Sequence, residues 1–167
     1  LFGSVESLKK IQKKIDTNLK PCSYPIENTA CNLQTGIKKI SYSAKNVIGL
    51  IKGKGTKEEY VVIGGHYDHV GMLKNHKEGE DYIFNGADDN ASGTAGVLAI
   101  AEAFSSMRKK TDRNILFVLF AGEEKGLYGS EYYCNNPLVP LDKSVVMLNL
   151  DMISRNGADS ISIDGLQ

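Results

Sequence analysis

ILFVLFAGEE, residues 115–124, places six apolar residues in a row and then, after Ala-Gly, two acids. An uninterrupted run of that length predicts a central strand covered on both faces, because a strand with one wet face would alternate. Upstream of it, Ala91, Ala95, Leu98, Ala101, Phe104 and Met107 line one face of a predicted helix over 91–107, with Asn90 or Ser92 available to cap its start. Before that helix, Tyr60–Ile63 is a short apolar run ending in Gly64-Gly65, and the polar segment 74–82 reads as loop. Downstream, residues 126–134 predict a short helix closed by Pro137, Val145–Leu150 predicts another buried strand, and Ser160–Ile163 begins one more. Strands alternating with helices predict an α/β fold, a sandwich with a mostly parallel central sheet between helical layers.

The N-terminal third reads differently. Leu8, Ile11, Ile15 and Leu19 recur at spacings of three and four with lysines between them, which predicts an amphipathic helix over 4–20 that Pro21 stops. Residues 21–35 read as loop, Ile37, Ile40 and Tyr42 suggest a short strand, and N-V-I-G-L-I-K (46–52) suggests a second, turned by Gly53-Lys54-Gly55. The expected organisation is a single domain, with residues 1–45 leading into a core over 46–167.

With 167 residues, 41% hydrophobic and 24% charged, the composition is globular and lacks any apolar run long enough to span a membrane. Twenty basic and twenty acidic residues argue against a dedicated nucleic-acid binder. The zero net charge hides an asymmetry: residues 1–60 hold eleven Lys and five acids, a net of +6, and residues 61–167 hold nine basic and fifteen acidic residues, a net of −6. Three cysteines (22, 31 and 134) are too few for a disulfide scaffold, with pairing of Cys22 and Cys31 or free thiols both open. No Cys-x-x-Cys is present, which excludes a paired-thiolate zinc site.

The acidic excess gathers at predicted strand ends. His66-Tyr67-Asp68-His69 follows the run at 60–65, Gly86-Ala87-Asp88-Asp89-Asn90 precedes the helix at 91, Gly122-Glu123-Glu124 follows the central strand, and Asp151 follows Val145–Leu150. Taken singly, each has an ordinary explanation as turn former, helix cap or solvated face. In an open α/β sheet, however, the carboxyl ends of the strands share one crevice. Six carboxylates and one or two imidazoles would meet there and raise one another's pKa values. A divalent cation relieves that repulsion, and imidazole with carboxylate but no thiolate suits Zn²⁺, with Co²⁺ or Mn²⁺ also compatible. Asp151 sits between L-N-L and Met152-Ile153, a costly place for an unpaired charge.

At G-G-H-Y-D-H (64–69), N-G-A-D-D-N-A-S-G-T-A (85–95), F-A-G-E-E-K-G-L-Y-G-S (120–130) and L-N-L-D-M-I (148–153) the chain resembles the co-catalytic zinc aminopeptidases of peptidase family M28, whose relatives include glutamate carboxypeptidases and glutaminyl cyclases. Order and spacing match over residues 60–153. The resemblance implies a three-layer α/β/α sandwich. It implies His66 and Asp151 as ligands of one zinc, Glu124 as ligand of a second, and Asp88 as the carboxylate bridging both. It also implies Glu123 as general base and Asp68 as the residue that holds the His66 imidazole, with Asp88–Asp89 as the candidate for a cis peptide bond. The implied activity is removal of N-terminal amino acids from peptides by a hydroxide bridging the metals, its pKa lowered by them.

One departure accompanies the match. The resemblance calls for a further His on the second zinc, from a loop well beyond the Asp-Met strand, and His69 and His76 lie upstream of that position. The helix at 4–20 resembles the stretch after an inserted protease-associated domain in larger relatives. The expectation is therefore a segment of a longer, exported enzyme, binding at most one metal firmly by itself and weakly active or inactive. Two alternatives on the same scaffold are a carboxypeptidase and a one-metal glutaminyl-cyclase-like acyltransferase. The intact A-D-D-N-A-S-G pattern disfavours the latter. A non-catalytic receptor domain would typically have lost ligands that are present here.

Overall fold

The computed structural model describes residues 5–25, 27–28, 30–155, 157 and 159–165. The chain divides into two compact units, residues 1–41 and 42–167. In the first, helix α1 (Val5–Asn18) forms where the three-and-four spacing of apolar residues predicts it, and Gln12 donates to Asp16 one turn on (2.8 Å). Leu19 leaves the helix in the left-handed region (φ 50°). The short strand expected around Ile37–Tyr42 does not form. Ile37 is 99% and Tyr42 91% exposed, so alternation there had no partner strand or core to act on. Cys22, Cys31 and Cys134 are unpaired thiols.

The second unit is built on a sheet of four strands: β1 (Val47–Ile51), β2 (Tyr60–His66), β5 (Asn114–Phe120) and β6 (Ser144–Asn149), in the order β1-β5-β2-β6. β3 (Gly71–Met72) and β4 (Ile83–Phe84) form a separate small antiparallel pair. β5 runs parallel to β2 in register from Tyr60↔Asn114 to His66↔Phe120, and β6 parallel to β2 from Val61↔Val146 to Gly64↔Asn149. β1 is antiparallel to β5, which makes the sheet mixed.

The six-residue apolar run explains the layers. Alternate β5 side chains serve opposite faces. Leu116, Val118 and Phe120 join Tyr60 and Val62 under Tyr133 of helix α3 (Tyr128–Asn135). Ile115 and Phe117 join Ile63 under Val97, Ile100 and Phe104 of helix α2 (Gly93–Ser105). Val118 is 0% and Leu116 2% exposed, so β5 is the centre of a three-layer α/β/α arrangement.

Three expectations shift. Gly64-Gly65 lies within β2 and does not end it, the strand running on to His66. β6, expected to be buried, is about half exposed from Val145 (48%) to Leu148 (52%), because among the described residues it is the end strand of the sheet and one flank has no neighbour. The strand expected at Ser160–Ile163 is absent, its residues being exposed and without regular structure.

Candidate metal centre

The parallel strands deliver their carboxyl ends to one edge. β2 ends at His66, β5 leads through Ala121-Gly122 to Glu123 and Glu124, and β6 leads through Leu150 to Asp151. A turn over Ala87–Ser92 brings a fourth segment there. It is kinked, with Asp89 (φ −104°, ψ 95°) and Asn90 (φ −133°, ψ 43°) outside helical geometry, so α2 proper begins at Gly93.

His66 is buried at 3% exposure. Its Nδ1 lies 3.0 Å from the Asp68 carbonyl oxygen. A carbonyl only accepts, so Nδ1 is the donor in this contact and Nε2 is the ring nitrogen turned toward the acidic residues. Nε2 faces Asp89 Oδ1 at 3.2 Å and Asp151 Oδ1 at 3.6 Å. The other Asp89 oxygen, Oδ2, lies 3.9 Å from His69 Nδ1, which is itself 2.5 Å from Glu124 Oε1. Two donor sets therefore share Asp89: His66, Asp89 and Asp151, and His69, Asp89 and Glu124. A tetrahedral ion with bonds of about 2.1 Å spaces its donors roughly 3.4 Å apart, and both distances from His66 Nε2 lie within a few tenths of an ångström of that. Imidazole and carboxylate without thiolate is a donor set that zinc takes, and the residues fit such an ion.

The expected bridging residue is corrected. Asp88 is not between the sets. Its Oδ1 accepts from the Ser154 hydroxyl (2.6 Å) and backbone N–H (3.0 Å), and the Ser92 hydroxyl donates to its backbone oxygen (2.6 Å). The Ser154 hydroxyl is the main cause of its carboxyl lying below the usual carboxylate range, against a smaller upward effect of burial. Asp89 instead lies between the two donor sets, and the cis peptide bond is Asp89–Asn90, one residue later than expected. Spacing alone does not distinguish adjacent aspartates; the kinked turn does.

Asp68 also differs from expectation. Its backbone oxygen, not its carboxylate, is within hydrogen-bond distance of His66 Nδ1; the carboxylate is 3.9 Å away and accepts from the Glu123 N–H at 3.1 Å. It thereby ties the loop after β2 to the loop after β5. Glu123 lines a cavity of about 260 Å³ together with His66, Asp151, Phe120 and Asn149. A larger hollow of about 850 Å³ beside Asn46, Ala121, Tyr128 and Tyr133 has no His or acidic side chain in its wall.

His69, read as lying too early in the chain to serve, is brought to Glu124 by the segment that follows β2, which stays alongside the end of β5. The Tyr67 N–H bonds Phe120 O (3.0 Å), and the Tyr67 hydroxyl bonds Lys45 O (2.7 Å). Sequence reading also missed Asn90 beyond its capping role. At 2% exposure it donates to Leu150 O (2.9 Å) and accepts from the N–H groups of Gly93 (3.0 Å) and Met152 (3.2 Å). It joins the Asp89 turn to the end of β6. Thr94 similarly donates to His66 O (2.9 Å). The only sequence signal for them was position, Asn90 directly after Asp89 and Thr94 directly after Gly93.

The model of peptidase family M28 matches residues 46–165, and the chain belongs to that family. It is 34% identical over 113 residues to "Aminopeptidase YwaD" of Bacillus subtilis, covering 66% of this chain and 22% of that protein. It is 31% identical over 118 residues to a "Probable zinc metalloprotease" of Pyrenophora tritici-repentis, covering 71% and 26%. Among solved structures, a zinc aminopeptidase from Bacillus subtilis superposes with a TM-score of 0.52 at 36% identity, covering 65% of this chain and 24% of that one. The chain thus spans about a quarter of the length of the relatives it matches.

Proposed function

We propose that the protein is a zinc-dependent exopeptidase, an aminopeptidase, whose centre is shared between the two donor sets through Asp89. The observation that carries this reading is the pair of Asp89 oxygens, one facing His66 and Asp151 and the other facing His69 and Glu124. Relatives named as zinc metalloprotease and aminopeptidase support the choice of metal and reaction.

In this reading His66, Asp89 and Asp151 hold one ion, and Asp89 and Glu124 contribute to holding a second. Zinc there supplies Lewis-acid polarisation of a peptide carbonyl and activation of water. The Nδ1–H bond from His66 to the Asp68 carbonyl sets the tautomer that leaves Nε2 as donor atom. Glu123, in the wall of the His66–Asp151 cavity, takes a proton from the attacking water and returns it to the departing amine.

The test is hydrolysis of an aminoacyl anilide by the zinc-loaded protein, with metal content measured in parallel. Glu123→Gln is expected to keep its zinc and lose about a hundredfold or more in rate, the usual share of a general base. Full activity in that variant would remove Glu123 from the mechanism. Absence of zinc uptake by the wild-type protein would remove the reading itself.

A further inference from the structure

We propose that Asn46 is a positioning residue for the loop that carries Glu123 and Glu124, its side-chain amide closing that loop at both ends. The inference rests on the metallopeptidase reading above and deepens it by naming what holds those two acids in place. β1 runs antiparallel to β5, so its amino end meets the carboxyl end of β5, and Val47↔Leu119 is the last pair of that ladder. Ala121 lies beyond it at 6% exposure, and a buried N–H outside a ladder needs another acceptor. Asn46 Oδ1 is that acceptor, taking the Ala121 N–H at 3.1 Å. The same amide donates through Nδ2 to Gly129 O at 2.7 Å. Glu123 and Glu124 lie in the chain between those two anchor points.

The ends of the loop are in close approach. Gly129 is buried, and a Cβ on it would run into Ala121 O and Asn46 Oδ1. Within the loop, Glu123 O accepts from the N–H groups of Gly126 and Leu127 (2.9 Å each), and Gly122 O accepts from the Tyr128 N–H (3.1 Å). The residue before Asn46 reaches the neighbouring loop, since Lys45 O accepts from the hydroxyl of Tyr67, next to His66. Asn114 offers a matched comparison at the opposite end of β5. Its amide also makes two bonds, accepting from the Gly53 N–H (3.1 Å) and donating to Glu59 O (3.2 Å).

NMR-detected amide exchange of the zinc-free chain, followed by zinc titration, tests this on Asn46→Ala and Asn114→Ala. The Glu123 and Tyr128 amides report on the loop, because their acceptors, Asp68 and Gly122, remain in both variants. Asn46→Ala should speed their exchange about tenfold or more, the effect of one or two lost hydrogen bonds, and Asn114→Ala should leave it near wild type. Zinc should bind about tenfold more weakly to Asn46→Ala alone, the lower end of what an outer partner contributes. Unchanged exchange in Asn46→Ala, equal acceleration in both variants, or a zinc Kd untouched by Asn46→Ala would overturn the proposal and leave the metallopeptidase reading standing. A wild-type chain that takes up no zinc would overturn that reading, and the exchange rates would still decide whether Asn46 closes the loop. If Asn46→Ala does not fold, Asn46→Asp decides: it keeps the acceptor for Ala121 and loses the donor to Gly129, and unchanged exchange at Tyr128 would overturn the proposal.

Discussion

Asp88 and Asp89 are chemically identical neighbours whose surroundings divide their work. Asp88 is occupied by Ser154 and Asp89 faces both imidazoles. Asp89→Asn is expected to weaken zinc at both sets, by about a hundredfold or more. Asp88→Asn should stay within about tenfold, the scale of an outer partner. Zinc titration of the two variants checks this, and equal losses would contradict the assignment. Tyr133 illustrates a cost elsewhere. Its hydroxyl is buried beside Phe120 with no hydrogen-bond partner among the described residues, and burial is the main cause of its pKa lying above the ordinary 10.0. With the folded pKa raised, the stability tied to the neutral phenol is present below pH 10 and falls as pH rises through the folded value. Tyr133→Phe should therefore raise stability by about 1 kcal/mol at neutral pH and flatten the alkaline loss, as followed by denaturant melts.

At the scale of elements, the start of α2 is where helix propensity and packing conflict. Alanine favours a helix over glycine by about 1 kcal/mol. At Gly93, however, a Cβ would collide with Leu150 O and the Asn90 side chain. Overpacking of that kind costs about 1–3 kcal/mol, and here the obstacle includes backbone. Gly93→Ala is expected to destabilise the chain by about 2 kcal/mol and to lower zinc affinity by displacing the Asp89 turn; a more stable variant would show that the turn yields freely. The elements most legible in sequence were those with the clearest patterns: β5 from its unbroken apolar run, which is buried, and α1 and α2 from their periodicity, although α1 buries none of its residues. The strands expected at 37–42 and 160–163 were misread because β-propensity has no meaning without a neighbouring strand, and exposure there shows none. β6 was read correctly as a strand and wrongly as buried, since its apolar residues cannot report which flank the sheet leaves open.

For the whole molecule, the two donor sets join the ends of β2, β5 and β6 and the turn before α2. Metal binding should therefore stabilise the fold rather than decorate it. An ion at a thousandfold excess over its Kd adds about 4 kcal/mol by mass action. At roughly 2–4 °C per kcal/mol for a chain near this size, the zinc-saturated protein should melt about 10 °C above the chelator-treated one. A melting temperature indifferent to chelator would argue against ligands spread over these elements. Sequence by itself determined the class of fold and the chemistry available, because an apolar run of six residues has to be covered on both faces and because imidazoles and carboxylates recur where strands end. Only the tertiary structure decided which of two adjacent aspartates is shared, that Asp68 holds His66 through its backbone, and that His69 meets Glu124. Those depend on how a kinked turn and a tight loop aim side chains across 55 and more residues of chain, and the spacing of letters carries no such direction.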